Sequence, residues 1–391
     1  MQGRLSNNIK DYNQQAFFAL LRAGLWEQEV RLSQFEGIDF NEIYRLAEEQ
    51  SIVGLVAAGL NNVTDTKIPK IDFLQFLGVS MHLEDQNKAM NSFIADLIEK
   101  LRKAGIYALL VKGQGIAQCY ERPLWRSCGD VDLFLSEENY EKAKAFLKPL
   151  ATSVESEYKY AKHLGMTIDP WVVELHGSLR GGLSNRINSV LDDIKRDTFN
   201  GGNARSWEND GVLVLLMGVE NDIAYVFAHF LNHFYKEGVG LRQICDWCRL
   251  LWTYRKTLDV QKLEHRIRRM GLLTEWRAFG AYAVDYLGMP LEAMPFFEVK
   301  GLKDDGRCKI DDRMKRKARL INDFILSVGN MGHNRDMSYF SKYPFMKRKC
   351  ISMVRRISDL VHHMRIFPLN TLRYFPTVIF GGLKSAARGE G

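Results

Sequence analysis

Two short stretches decide the fold of this chain: VKGQG at residues 111–115 and RSCGDVDLFL at residues 126–135. Each joins a short apolar run to a glycine-containing turn, and such runs predict strands. Side chains alternate between the two faces of a strand, so Asp130 and Asp132 point the same way. Neighbouring carboxylates repel each other unless a cation lies between them, which makes this pair a candidate ligand for a hard metal ion.

A third acid interrupts the apolar run WVVELH at residues 171–176. Glu174 would be costly to bury in a strand without a partner. If this strand lies beside the strand of Asp130, the three carboxylates converge and could hold two divalent ions, or one ion and a general base. His176 would share the face of Glu174. An isolated Asp-x-Asp pattern is a weak signal, because acids occur at many strand ends, but the third acid and the glycine turn strengthen it.

The surrounding pattern predicts an α+β fold with a small mixed sheet flanked by N-terminal and C-terminal helical regions. Helical periodicity runs through the first hundred residues and returns from about Gly211 to Leu287. The predicted strands are 107–111, 131–135, 163–168 and 171–176. The predicted divisions are 1–104 for a helical N-terminal region, 105–205 for the core, 206–300 for a helical domain, and 301–391 for a charged segment and a basic C-terminal tail.

The segments LLVKGQGIAQCY, RPLWRSCGDVDLFL and VVELHGSL resemble the core of the DNA polymerase β-type nucleotidyltransferases. In particular, the Lys-Gly turn, the R-x-x-G-D-x-D-L strand and the E-L-H strand are similar to a bacterial family of uncharacterised nucleotidyltransferases. The likeness extends from about Ala16 to Leu287. It implies transfer of a nucleoside monophosphate from an NTP to a hydroxyl acceptor of unknown identity, with Mg²⁺ or Mn²⁺ as cofactor.

The resemblance also implies roles for individual residues. It makes Asp130, Asp132 and Glu174 the catalytic acids and the metal ligands. It assigns nucleotide binding to Lys112, Gly113, Gln114, Arg126 and Gly129. The superfamily turn has Gly-Ser or Gly-Gly where this chain has Gly-Gln, so phosphate contact would fall to backbone N–H groups, the start of the following helix and Lys112. Arg126 could support phosphate through its two-pronged guanidinium or could instead be paired with a carboxylate.

Composition excludes some classes of protein. The chain has 391 residues, of which 46% are hydrophobic, and this predicts a globular protein rather than a disordered one. A polar N-terminus and the lack of an apolar run of roughly 18 residues predict a cytoplasmic protein, with peripheral contact to a membrane as an option. The six cysteines have no framework spacing, and Cys245 and Cys248 are predicted to be buried helix residues rather than a zinc or redox pair.

The net charge of +7 is concentrated in the tail at residues 341–391. This tail mixes apolar side chains with ten basic residues against two acidic ones, Asp359 and Glu390. Such a mixture suits an anionic membrane surface, RNA, or a basic helix packed on the rest of the protein. The basic residues are Lys342, Lys347, Arg348, Lys349, Arg355, Arg356, Arg365, Arg373, Lys384 and Arg388.

Two rival functions stay open beside the enzyme. One is a non-catalytic module that binds nucleotide or nucleic acid, and the other is a toxin or defence nucleotidyltransferase that acts on tRNA. The complete set of three acids favours the enzyme.

His229 and His233 are spaced i, i+4 without the glutamate of a zinc protease, so we predict packing or nucleotide contact for them. Arg242 and Asp246 have the spacing of an intrahelical ion pair.

Overall fold

A computed structural model describes residues 2–297, 310–338 and 342–376, with side chains from residue 12 onward. Its centre is a seven-stranded mixed sheet flanked by helices, which confirms the α+β prediction. The strands are β1 (Ala108–Val111), β2 (Asp130–Leu135), β3 (Ser153–Val154), β4 (His163–Ile168), β5 (Trp171–His176), β6 (Ala204–Asn209) and β7 (Val212–Met217).

Helices precede, interrupt and follow the sheet. Before it lie α1 (Gln2–Trp26), α2 (Phe40–Glu49), α3 (Val53–Leu60) and α4 (Lys70–Lys103). Among the strands lie α5 (Gly113–Ala117), α6 (Glu137–Leu147) and α7 (Asn185–Phe199). After it lie α8 (Val219–Lys236), α9 (Leu241–Tyr254), α10 (Val260–Met270), α11 (Leu273–Asp285), α12 (Asp312–Val328) and α13 (Phe345–Ile366). Several begin at the predicted kind of cap, as where the Ser136 hydroxyl accepts from the Asn139 N–H at 3.3 Å.

The strand order is β3-β4-β5-β2-β1-β7-β6, with β2–β5 and β1–β7 parallel and the other pairs antiparallel. The prediction that the helical region begins at Gly211 was wrong for residues 212–217, which form β7. Asp210 and Gly211 both have positive φ, 49° and 77°, and form the two-residue turn of the β6–β7 hairpin. The apolar run VLVLLM has no clear period, so the sequence alone did not distinguish a buried strand from a helix.

The two faces of the sheet belong to different hydrophobic cores. On β2, Val131, Leu133 and Leu135 face a core that includes residues of α4 and α6. Phe134 faces the opposite way, into a larger core that includes residues of α7 and α8. Because side chains alternate, Asp130 and Asp132 lie on the same face as Phe134. The acids therefore point toward the helices that follow the sheet.

The N-terminal helices share that larger core with the helices after the sheet. The Trp26 indole N–H donates to the Leu287 carbonyl at 2.5 Å. The buried Gln50 side chain donates to the Ile325 carbonyl at 3.2 Å and accepts from the Leu241 N–H at 3.1 Å. Such satisfied buried polar contacts tie distant parts of the chain together. They hold the N-terminal helices against α9 and α12, in the core on the side of the sheet that carries the acids.

The basic tail packs on this helical layer through α13. Leu360, His363 and Ile366 are buried, and the His363 ring lies 4.6 Å from the Phe234 ring of α8, centroid to centroid. Three options were predicted for the tail. This part of α13 has one of them, because it packs on the rest of the protein. Lys384 and Arg388 lie outside the described residues. Within the described part of the chain, no helix is both long and apolar enough to cross a bilayer.

Candidate active site

Three carboxylates lie together on one face of the sheet. Asp132 and Glu174 are direct partners in the parallel pairing of β2 and β5. Asp130 is two residues before Asp132 on the same face, and carboxylate oxygens of all three residues lie within 4.8 Å of one another. Asp132 is only 2% exposed. The register of two neighbouring strands, rather than a flexible loop, therefore sets the spacing of the acids.

Lys112 provides the positive charge of this cluster. Its Nζ lies 2.7 Å from Asp132 Oδ1, and the pair is largely buried. Lys112 has φ 58° and ψ −149°, a conformation that favours glycine and costs on the order of 1–3 kcal/mol for other residues. Gly113 follows with φ 39°, and a Cβ there would lie 3.1 Å from Cys128 Sγ. A lysine that occupies a strained turn beside three acids suggests a functional role for its amine.

Two histidines also contact the acids. His176 Nε2 lies 2.7 Å from Asp132 Oδ1 and 3.4 Å from Glu174 Oε2. His163 Nε2 lies 3.1 Å from the same Glu174 oxygen. His163 and His176 are direct partners in the antiparallel pairing of β4 and β5. The imidazoles therefore form a layer beside the carboxylates on one face of the sheet.

The electrostatics of the cluster follow from burial and charge. Burial raises the pKa of Asp130, and the nearby Asp132 raises it further. Hydrogen bonds with His163 and His176 hold the pKa of Glu174 well below its usual range. Burial alone would lower the pKa of Lys112, but attraction to Asp132 and other neighbouring acidic groups outweighs it and raises that pKa. Lys112 thus remains an ammonium ion beside the acids.

A cavity of about 550 Å³ opens beside this cluster. Lys112, Asp130 and Glu174 line one part of it, and α8 lines another with Tyr225 and His229. Its lining also includes polar side chains that hydrogen-bond readily, namely Tyr158, Ser178, Arg180, Asn188, Asn232 and Lys236. A cavity of this size and polarity can admit a polar small molecule next to the acids.

Arg126 is committed to a buried ion pair. Its Nε and Nη2 lie 2.8 and 2.6 Å from the two carboxylate oxygens of Asp246, and Tyr120 donates to the same carboxylate at 2.8 Å. Of the two options for Arg126, phosphate support and pairing with a carboxylate, the structure has the pairing with a carboxylate. The expected pairing of Arg242 with Asp246 was wrong, because Arg126, 120 residues earlier in the sequence, occupies both carboxylate oxygens.

Arg242 offers a guanidinium nitrogen to a ligand. Its Nη1 donates to the Ser127 carbonyl at 2.8 Å. Its buried Nε has no hydrogen-bond partner among the residues that the structure describes. Arg242 lines a small cavity of about 70 Å³ together with Gly113, Asp130 and Asp132. A buried donor without a partner is costly, which makes this nitrogen a candidate contact for an anionic group.

The other proposed nucleotide-binding residues differ in exposure. The Gln114 side chain is 1% exposed and donates to Asn87 Oδ1 of α4 at 2.6 Å, so only its backbone faces the turn. A Cβ at Gly129 would meet no atom within 4 Å, so packing does not explain that glycine.

Cys245 and Cys248 are fully buried on α9, as predicted.

The histidines of α8 lie at the cavity rather than in a separate site. His229 Nε2 lies 3.1 Å from His233 Nε2, and His233 Nδ1 lies 3.3 Å from Glu237. Burial, with the positive charge of Lys112 added, holds the pKa of His229 well below its ordinary value. His229 is thus a neutral imidazole at the cavity wall.

Comparison with known proteins places the chain in a family. Residues 36–288, well over half of the chain, match the family described as "Uncharacterised nucleotidyltransferase". The chain belongs to this family of uncharacterised nucleotidyltransferases. The family match includes the acid cluster, Lys112, Arg242 and the cavity lining on α8.

The chain is also similar to a solved structure, an antigenic nucleotidyltransferase-like protein from Paracoccidioides brasiliensis. The two share 14% sequence identity over 51% of this chain and 92% of that one, with a TM-score of 0.31. No curated protein matches the chain.

Proposed function

We propose that this protein transfers a nucleoside monophosphate from an NTP to a hydroxyl acceptor and releases pyrophosphate, in the manner of the DNA polymerase β-type nucleotidyltransferases. The observation that carries the proposal is the convergence of Asp130, Asp132 and Glu174 within 4.8 Å beside a cavity, in a member of a nucleotidyltransferase family. Acids so close together are the donor set that phosphoryl-transfer enzymes use to bind divalent ions.

The three carboxylates suit Mg²⁺ or Mn²⁺. All their donor atoms are oxygens, which hard cations prefer. Burial and the charge of Asp132 raise the pKa of Asp130, so a cation there would relieve repulsion between the acids. Bound to this cluster, the divalent ions would neutralise the charge that develops on the attacking and leaving oxygens. Asp130, Asp132 and Glu174 would hold them, with Glu174 as the shared ligand or as the base for the attacking hydroxyl.

The triphosphate would lie between the acids and the Lys112–Gly113 turn. Lys112 supplies an ammonium group, Gly113 adopts the positive φ that the turn requires, and Arg242 supplies a buried Nε without a partner among the described residues. Charge-assisted hydrogen bonds of this kind contribute about 1.5–3 kcal/mol each. In this proposal Arg126 does not contact the nucleotide, because its guanidinium is paired with the Asp246 carboxylate.

The proposal is tested by incubating full-length protein and cell extract with each α-labelled NTP and Mg²⁺ or Mn²⁺. We expect label in one acceptor fraction with the wild-type protein and with Asp96→Asn, a control for an exposed acid of α4. Asp130→Ala should lose the transfer and keep the fold, because its removal relieves repulsion. Label transfer that survives in Asp130→Ala would contradict the carboxylate mechanism.

The rival module predicts a different result. A protein that binds NTP, as seen by a shift in melting temperature, and labels no acceptor with any of the four nucleotides would be a nucleotide-binding module. Label found only in tRNA would identify the defence-type nucleotidyltransferase.

We also infer that the tail contacts an anionic membrane surface from a cytoplasmic location. The exposed face of α13 carries apolar residues spaced 4, 4, 3 and 4 apart, which places them on one side of the helix. They are Met346, Cys350, Val354, Ile357 and Val361, with Met346 72% and Val354 67% exposed. The helix has six basic residues and one acidic one, Asp359, which is paired with Arg335. Apolar side chains flanked by bases favour a lipid surface over the sugar–phosphate backbone of RNA.

A further inference from the structure

The histidine layer beside the acids has the composition of a second metal site. His163, Glu174 and His176 offer two imidazole nitrogens and one carboxylate oxygen that all lie within 4.8 Å of one another. We propose that these residues bind a borderline divalent ion such as Zn²⁺, at a second site that shares Glu174 with the all-oxygen site of the acids. The proposal does not require nucleotidyl transfer, since it concerns metal binding alone.

The spacing of the ligand atoms fits such an ion. Zinc–nitrogen and zinc–oxygen bonds of about 2.0–2.1 Å in a tetrahedral site place neighbouring ligand atoms ~3.3 Å apart. Glu174 Oε2 lies 3.1 Å from His163 Nε2 and 3.4 Å from His176 Nε2. The two distances from Glu174 Oε2 to the histidine nitrogens are therefore close to the ligand–ligand distance of a tetrahedral zinc site.

Imidazole ligands also set the class of metal. Mg²⁺ takes oxygen ligands, whereas imidazole suits Zn²⁺, Fe²⁺, Ni²⁺ and Cu²⁺. Asp132 Oδ1 lies 2.7 Å from His176 Nε2 and could complete the site as a fourth ligand. Glu174 would then face both sites, with the all-oxygen cluster on one side and the histidines on the other.

The strands hold these ligands in place and leave them accessible. His163 and His176 are cross-strand partners, and their ring centroids lie 4.8 Å apart with an interplanar angle of 32°. All three residues line the 550 Å³ cavity, so an ion can enter without unfolding. Sites on strands of a rigid sheet keep their geometry better than sites on loops.

The test measures metal binding to full-length protein without nucleotide. Equilibrium dialysis gives the bound Zn²⁺, and Co²⁺ absorption reports whether nitrogen ligands surround the metal. A Cys350→Ser background removes the exposed thiol as a competing zinc ligand. We compare His163→Ala and His176→Gln with His82→Ala, an exposed histidine of α4.

We expect one Zn²⁺ equivalent that excess Mg²⁺ does not displace. It should persist in His82→Ala and in Asp130→Ala, and disappear in His163→Ala and His176→Gln. Zinc stoichiometry that is unchanged in both folded histidine variants, or no zinc bound by the wild type, would mean that the histidines only hydrogen-bond the acids. Asp130 belongs to the acid site and not to the histidine site. An Asp130→Ala protein that loses label transfer and still binds zinc would therefore show that the two sites can be tested separately.

Discussion

The ammonium nitrogen of Lys112 lies 2.7 Å from a carboxylate oxygen of Asp132, where the carboxylates of Asp130 and Glu174 also converge. The lysine balances part of the negative charge of three acids that would otherwise repel one another. It comes from a turn that precedes α5, whereas the acids come from β2 and β5. Before any ion binds, the Lys112 ammonium group thus attracts the carboxylates into one cluster. A divalent ion would have to share or replace the contact between Lys112 and Asp132.

Lys112→Met should destabilise the protein in buffer without divalent ions. Removing one partner of a buried ion pair leaves the acids unbalanced and typically costs about 3–5 kcal/mol. Addition of Mg²⁺ should restore much of the loss, because the cation takes over the role of the amine. Urea denaturation with and without Mg²⁺ measures both effects, with Lys100→Met, a change at an exposed lysine of α4, as the control. Equal stability of Lys112→Met and the wild type without Mg²⁺ would rule out this balance of charge.

Arg126 and Arg242 should respond differently to replacement by alanine. Arg126→Ala should lose about 3–5 kcal/mol of unfolding free energy, because the buried Asp246 carboxylate loses its partner. Arg242→Ala should unfold nearly as the wild type does, yet bind NTP with an affinity lower by roughly tenfold or more, since one charge-assisted contact is lost. Urea denaturation and calorimetric NTP titration separate the two. An NTP affinity unchanged in Arg242→Ala would remove Arg242 from the site.

His363 should make the protein sensitive to acid. Burial, together with the nearby charges of His362 and Arg335, lowers the pKa of His363 to about 3. In the unfolded chain its pKa is about 6.5. Between these values the unfolded state binds more protons, so stability decreases as pH falls below about 6.5, by about 2 kcal/mol at pH 5.

Replacement of His363 by leucine should remove that part of the pH dependence. Between pH 7.5 and pH 5 the denaturation midpoint of the wild type should fall further than that of His363→Leu. His265→Ala, an exposed histidine of α10, serves as the control. Parallel pH profiles for His363→Leu and wild type would show that His363 does not cause the acid sensitivity.

The exposed face of α13 can be tested without removing the tail. Truncation before residue 345 would also delete the buried Leu360, His363 and Ile366, so it would damage the core that α13 completes. The double change Val354→Ser and Ile357→Ser should instead weaken binding to anionic vesicles by roughly 30-fold, at about 1 kcal/mol per apolar side chain. Vesicle sedimentation is the measurement, with Ser358→Ala as control. Binding of RNA but not vesicles by the wild-type protein would contradict the lipid assignment.

Some of this site could be predicted from local sequence. Strand alternation places Asp130 and Asp132 on one face, and Glu174 stands out as an acid in an apolar run. The histidine layer had a readable signal that the prediction missed. His163 and His176 lie at equal distances from the Asp169-Pro170 turn, so a simple hairpin makes them cross-strand partners.

Other features depend on contacts between distant parts of the chain. The pairing of Arg126 with Asp246 spans 120 residues, and no local spacing distinguishes it from the i, i+4 pair of Arg242 with Asp246. The parallel pairing that sets Asp132 opposite Glu174 is fixed by the apolar core beneath β2 and β5. The four-part division of the chain remains a prediction.

In the proposed function, Asp130, Asp132 and Glu174 hold divalent ions for a bound NTP. The most direct measurement is a crystal structure of the full-length protein with Mn²⁺ and a non-hydrolysable NTP, with anomalous scattering used to locate manganese. We predict anomalous density between these three carboxylates, with the triphosphate against Lys112 and Arg242. Manganese and nucleotide bound elsewhere, with Lys112 still paired to Asp132, would contradict the account.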